Sequence, residues 1–255
     1  MAESALPTVN RVGLGAPLRW LGEGWRDYLK AFAPCTIYGA FIAMISAALC
    51  WLLIKSNLAF WALTLSCGFV FAAPMLAMGL YAAGRMLERG ERPTIRSMLF
   101  VREAVRSDVF YLGLALLLIY LLWGRVAQIV YGLSTYRLHS TVRAFTEFAL
   151  NTSEGHAMLI SGTIVGGILA FFTFSITVVS APMLLQHDSN VFGAVFTSLR
   201  ATSRSFAPML LWAVLITTLL LIAAATGFLA LVVIFPWLGL ASWRAYRDVV
   251  ASSSV

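Results

Sequence analysis

Six stretches of this 255-residue chain, 35–54, 59–80, 109–133, 158–185, 207–228 and 229–242, are almost wholly apolar. A hydrocarbon core ~30 Å thick takes ~20 helical residues to cross. In lipid only a backbone that satisfies its own hydrogen bonds survives, which leaves helices for runs of this length. The expected fold class is therefore all-α: a polytopic membrane helix bundle of about six transmembrane helices. Composition agrees, since 60% of residues are hydrophobic and only 11% charged, where a soluble domain carries about a quarter charged. Trp20, Trp25, Trp51, Trp61, Trp123, Tyr131, Trp237 and Trp243 fall near the ends of apolar runs, where amphipathic rings suit the headgroup layer.

The first two stretches are joined by Lys55 to Leu58 and the last two by a turn near Gly227, so each pair reads as a tight hairpin. The sixth stretch is short and contains Pro236; as a re-entrant segment it would leave the C-terminus outside. Orientation follows from basic residues, which are retained on the cytoplasmic side. With the N-terminus inside, cytoplasmic segments hold fourteen of them: Arg11, Arg19, Arg26, Lys30, Arg85, Arg89, Arg92, Arg96, Arg102, Arg106, Arg200, Arg204, Arg244 and Arg247. Outer segments hold three, Lys55, Arg137 and Arg143. The same bias accounts for the net charge of +7 and the pI near 9.7 without nucleic acid as a partner. The first ~30 residues lack the early apolar core of a cleavable leader, so insertion is expected to begin with the first span.

A basic pair spaced four apart precedes the first, third and fifth spans: Arg26 with Lys30, Arg102 with Arg106, Arg200 with Arg204. Such pairs share one helix face. The opposite faces carry Leu18, Leu21, Trp25 and Leu29; Ile95, Met98, Leu99 and Val105; and Phe192, Val195, Phe196 and Leu199. Three cytoplasmic interfacial amphipathic helices are expected, the later two near 93–106 and 190–204. Pro17 and Pro93 suit first turns, and Asp188, Ser189 and Asn190 offer caps to the third. Phe32-Ala33-Pro34 matches Phe206-Ala207-Pro208, and the second helix of each hairpin carries a proline, Pro74, Pro182 or Pro236. The pattern reads as three copies of an interfacial helix followed by a two-span hairpin, with residues 1–34 as a cytoplasmic N-terminal segment and 35–255 as the membrane domain.

Four stretches, Ala73-Pro74-Met75-Leu76-Ala77-Met78-Gly79-Leu80-Tyr81, Ser180-Ala181-Pro182-Met183-Leu184-Leu185, Met209-Leu210-Leu211-Trp212 and Trp243-Arg244-Ala245-Tyr246-Arg247-Asp248, follow an opening Trp25-Arg26-Asp27. Together they resemble a bacterial family of uncharacterised multi-span integral membrane proteins, some of whose members carry names linked to cytochrome c oxidase. The resemblance extends over nearly the whole chain and implies a multi-pass protein of a bacterial inner membrane, without implying a reaction. Its pattern has Asp-Arg-Asp where this chain has Gln186-His187-Asp188, and histidines where this chain has Leu240 and Arg244. A histidine ligand role therefore does not carry over.

A haem-copper centre needs several imidazoles projecting from spans, and none of the six runs has an interior histidine. His139 and His156 belong to the outer loop, where Glu147 and Glu154 offer partners at no metal-motif spacing. His187 with Asp188 reads as a helix boundary with a cap before it reads as a proton-handling pair. Cys35, Cys50 and Cys67 lie in apolar runs and read as small hydrophobes. Gly162, Gly166 and Gly167 form a small-residue face suited to close helix packing. The span prolines free carbonyls that either line a cavity or simply kink packed helices. One residue asks for a purpose: Arg125 lies within an apolar run, ~24 Å beyond Val109 at helical rise, where a charge is costly. Either it snorkels to the headgroups or, with Gln128 from the next turn, it faces inward and holds an anionic group.

No phosphate loop, nucleophile set or paired intramembrane carboxylates are present in the sequence. No enzyme, cofactor or metal is expected. The reading is a non-catalytic accessory or assembly component of a membrane complex, a respiratory one by the names in the resembling family; the alternative is a small-molecule transporter or channel, which repeats and broken helices favour. The partners expected are the lipid bilayer and another membrane protein complex.

Overall fold

The computed structural model describes residues 7–137, 139, 141–186 and 190–250. These hold eleven α-helices: α1 Ala16–Lys30, α2 Phe32–Lys55, α3 Ala59–Leu76, α4 Met78–Glu88, α5 Ile95–Leu99, α6 Ser107–Ser134, α7 Val142–Asn151, α8 Ser153–Gln186, α9 Val191–Arg204, α10 Phe206–Ala225 and α11 Leu231–Val249. Five of them, α2, α3, α6, α8 and α10, are long and apolar enough to cross a membrane. The protein is a polytopic helical membrane protein. Leu49, Leu52, Leu63, Leu118, Ile164, Ile168 and Leu221 lie exposed on these five, as expected of helices whose outer surface meets lipid rather than water.

The sixth apolar stretch departs from the rest. It forms α11, whose last turns carry Arg244, Arg247 and Asp248, and it is not among the five. Instead it is the hub of the bundle, packing against α1, α2, α4, α8 and α10. Trp243, Leu240, Ala241 and Val249 on it are wholly buried. The helix is continuous from Leu231 to Val249. It turns back from α10 at Gly227 and Phe228, both at positive φ, and its C-terminal end meets the N-terminal segment. There Val9 and Val250 form an antiparallel bridge and Asn10 N–H donates to the Val249 carbonyl at 2.8 Å. The two described ends of the chain thus lie together, at the near end of the bundle.

Two of the three basic-pair helices end where the sequence predicts, α1 at Lys30 and α9 at Arg204, with Asn190 capping α9 by accepting from Gly193 N–H at 2.7 Å. On both helices the largest apolar side chains face away from the bundle. Leu18, Trp25 and Leu29, like Phe192, Phe196 and Leu199, are exposed, whereas Trp20, Gly24, Asp27 and Tyr28 in α1 and Ala194, Ser198, Ala201 and Thr202 in α9 are buried. Helical periodicity singles out the largest hydrophobes, but close helix contact is made by the small and mixed side. A single residue, Ala31 or Ser205, joins α1 to α2 and α9 to α10, with φ, ψ of −116°, 35° and −127°, 48°. The middle helix expected near 93–106 is broken. A Thr94 capping box starts α5, which ends at Leu99, and only one 3₁₀ turn, Arg102–Val105, follows. The Met98 carbonyl sits against the bare Cα of Gly79 in α4, and Arg85 draws Glu103 toward the bundle, so tertiary contact ends the helix there.

The prolines act mainly on packing. Pro236 leaves the Val232 carbonyl without its intrahelical donor, and Gly39 of α2 fits its backbone against that oxygen and against the Pro236 ring. After Pro74 the helix is interrupted at Ala77, where Leu80 N–H turns to the Ala77 carbonyl. Tyr38 then donates its hydroxyl to the free Leu76 carbonyl at 2.7 Å. Gly166 packs on the Trp123 ring, whereas Gly167 faces open space. Cys35 is buried and Cys67 exposed, and all three cysteines are free thiols.

Candidate functional site

The second helices of the hairpins deliver their C-terminal ends to the near end, and the charges they carry converge there. Asp27 on α1, 1% exposed, is the one carboxylate among the buried residues described. Arg244 on α11 reaches its Oδ2 from both Nε and Nη2, each at 2.6 Å, and Lys30 reaches Oδ1 at 3.1 Å. Arg244 also approaches Glu88 at the end of α4 (3.7 Å), and Glu88 binds Arg247 at 3.2 Å. Arg247 in turn donates to Gln186, the last residue of α8, at 3.5 Å. Arg19 pairs with Asp248, whose carboxylate also accepts from Trp20 Nε1 at 2.9 Å. On the other side of α4, Arg85 donates to the Leu185 carbonyl and to Glu103, both at 2.7 Å. Burial pushes the Glu103 carboxyl up, but hydrogen bonds from its own backbone and from Arg85, with the charges of Arg85 and Arg106, hold it below the usual carboxylate range.

Chemically this is a clasp. Each acid meets an arginine from another element, which locks α1, α4 and α11 together at one end, and α8 joins them through the Leu185 carbonyl and Gln186. Not every polar atom nearby is satisfied: the Tyr246 hydroxyl and the Trp212 and Trp243 indole nitrogens are buried without a hydrogen-bond partner among the described residues. Tyr246→Phe removes a desolvated hydroxyl that gains nothing. Its unfolding free energy is expected to match the parent or rise by up to ~1 kcal/mol in thermal or detergent unfolding, and a loss above ~2 kcal/mol would mean the hydroxyl is bonded.

Arg125 does not point into the bundle. It is exposed on α6 and donates to Gln128 at 3.0 Å. Glu147 is taken by Arg143 at 3.0 Å and Glu154 by Ser153 at 2.9 Å. Of the basic pairs, Arg26, Lys30, Arg102, Arg200 and Arg204 are exposed and Arg106 is half-buried. Lys30 joins the clasp at Asp27, and the charge of Arg106 acts on Glu103. His139 stacks on Phe148 and its Nδ1 lies 2.9 Å from the Tyr131 hydroxyl, while His156 Nε2 meets the Leu150 carbonyl at 2.8 Å. Each histidine is engaged separately, with neither Glu147 nor Glu154. His187 and Asp188 lie outside the described residues.

Two recesses among the described residues bear on function. A cavity of about 80 Å³ lies at the helix break after Pro74, lined by Val70, Phe174, Val178, Phe235 and other apolar side chains, with Tyr81, Thr177 and Ser242 as its hydroxyls. The other, about 410 Å³, opens at the far end between the α2–α3 turn and the last turns of α6.

Residues 62–186 match a family described as predicted integral membrane proteins (DUF2189). Over these residues the chain is similar to that family. The matched segment runs from α3 to the end of α8 and contains the Pro74 and Pro182 motifs. The Trp25-Arg26-Asp27 and Trp243 to Asp248 motifs that close the clasp lie outside it. No curated protein and no solved structure matches the chain.

What the sequence missed is the partnership of Asp27 with Arg244, 217 positions apart. One signal was available. Asp27 is an acid on the same helical stripe as Trp20 and Gly24, and a buried acid requires a base.

Proposed function

We propose that this protein is a non-catalytic accessory or assembly component of a membrane complex, with both termini cytoplasmic in a bacterial inner membrane. The observation that carries this reading is the clasp: Asp27, Glu88, Glu103 and Asp248 are each held by an arginine of another element. Charge placed this way fixes helices rather than waiting for a substrate. Sidedness is supported by the fourteen-to-three distribution of basic residues and by the contact between the two ends of the chain. The like junctions at Ala31 and Ser205, and the like burial of Trp20, Gly24 and Tyr28 against Ala194, Ser198 and Thr202, support descent of α1–α2 and α9–α10 from one unit. In that arrangement their exposed Leu18, Trp25, Phe192 and Phe196 lie in the cytoplasmic headgroup layer. Transport is less well supported, since the cavity between α3, α8, α10 and α11 is small, about 80 Å³, and mostly apolar.

Mild solubilisation of native membranes and purification through a C-terminal tag tests the proposal. A membrane complex recovered at fixed stoichiometry, respiratory if the wider resemblance holds, is the expected result. A protein that always purifies alone but moves a small solute in proteoliposomes would overturn it.

A further inference from the structure

The larger recess joins features that packing alone does not require. Its floor and walls are Asn57 from the α2–α3 turn, Trp61 from the first turn of α3, Gln128 and Tyr131 from α6, and Arg137 and His139 from the segment beyond. The shape is fixed from behind by a small aromatic core: Phe60 stacks on Tyr131 at 4.7 Å, and Phe145 and Phe148 close around the same ring. Tyr131 accepts from the His139 backbone N–H at 2.9 Å and donates to the Arg137 carbonyl at 3.2 Å. The loop that carries the guanidinium is thereby tied to the rigid helix.

Electrostatics give the recess one sign. No carboxylate lines it, and Arg137 is exposed with no ion pair among the described residues. Arg125 stands beside Gln128 on the same face of α6 and has that amide as its partner. The nearby acid Glu147 is spent on Arg143. Two guanidiniums without carboxylates, beside tryptophan and tyrosine at a helix end, are the groups that recognise a planar or tetrahedral oxyanion at headgroup depth. At about 410 Å³ the recess is within the range of small-ligand pockets.

We propose that the far-end recess binds a phosphate group, with Arg137 as its principal ligand, Arg125 and Gln128 at its edge and His139 beside it. Two sources carry that chemistry, a phospholipid headgroup entering sideways along α6 and a free phosphate or small phosphate ester entering from water.

Native mass spectrometry of the detergent-solubilised full chain separates them. With phosphatidylglycerol and a phosphate-free diacylglycerol of the same chains offered together, the parent is expected to retain one phosphatidylglycerol in preference. Arg137→Gln with Arg125→Gln should weaken that retention about tenfold, roughly the worth of one charge-assisted contact. Arg143→Gln, which removes the same charge outside the recess, should leave it unchanged, and Arg137→Lys should keep part of it. Saturable binding of inorganic phosphate without lipid, lost in the same double variant, would assign the site to a soluble phosphate instead. Equal retention of the two lipids with no phosphate binding, or a preference untouched by the double variant while Arg143→Gln abolishes it, would overturn the proposal. Thermal unfolding of each variant within ~2 °C of the parent separates lost binding from lost fold, and these exposed arginines leave the core untouched.

Discussion

Arg244→Leu is expected to lower the free energy of unfolding by about 3–5 kcal/mol, because it strips a buried carboxylate of its main partner. Asp27 has a side chain only 2% exposed, and after the substitution only Lys30, itself largely in solvent, remains to balance it. The same change frees Glu88 from one of its two bases. Removing both partners should cost less than removing one. In Asp27→Asn with Arg244→Leu the unpaired carboxylate is gone, and the double variant is expected to recover ~1–3 kcal/mol relative to the sum of the singles. Unfolding in mixed micelles with rising denaturing detergent measures all three. Additive losses would mean that the two side chains do not act as a pair.

Gly39→Val should be nearly as damaging for a steric reason. A Cβ at Gly39 lands on the Val232 carbonyl oxygen and 2.9 Å from Pro236 Cδ, so α2 and α11 must separate. Overpacking costs about 1–3 kcal/mol when flexible side chains can yield, and here backbone and a proline ring must move, which puts the expected loss at or above the top of that range. Gly167→Val is the matched control, since nothing lies within 4 Å of a Cβ there. Equal stability of the two variants would remove the close α2–α11 contact from the account.

The contrast between these sites explains what the sequence conveys. The five long spans are legible because lipid sets both their length and their composition, and the ends of α1 and α9 because basic pairs and caps mark them. The role of α11 is hidden by its own charges. Arg244, Arg247 and Asp248 make its last turns look like a cytoplasmic tail, when they are the residues that bind α1, α4 and α8. The break between α5 and the 3₁₀ turn is equally hidden, since Ile95, Met98 and Val105 keep helical spacing and only the approach of α4 ends the helix at Leu99. Arg125 stood out by its cost in lipid, which identifies a residue that needs a partner but not the direction in which it points. The far-end recess could not be read at all, because Asn57 and Trp61 meet Gln128 and Arg137 only through the antiparallel return of α6 along α3.

The central claim is that α11 runs back through the bundle and brings the C-terminus to the side of the N-terminus. Single cysteines at Ser97, at Thr135 and appended after Val255, in a background where Cys35, Cys50 and Cys67 are alanine, test it with a membrane-impermeant thiol reagent on intact cells. Position 135 should label, while position 97 and the appended cysteine should label only after the membrane is opened. Labelling of the appended cysteine in intact cells, with position 97 still protected, would contradict it.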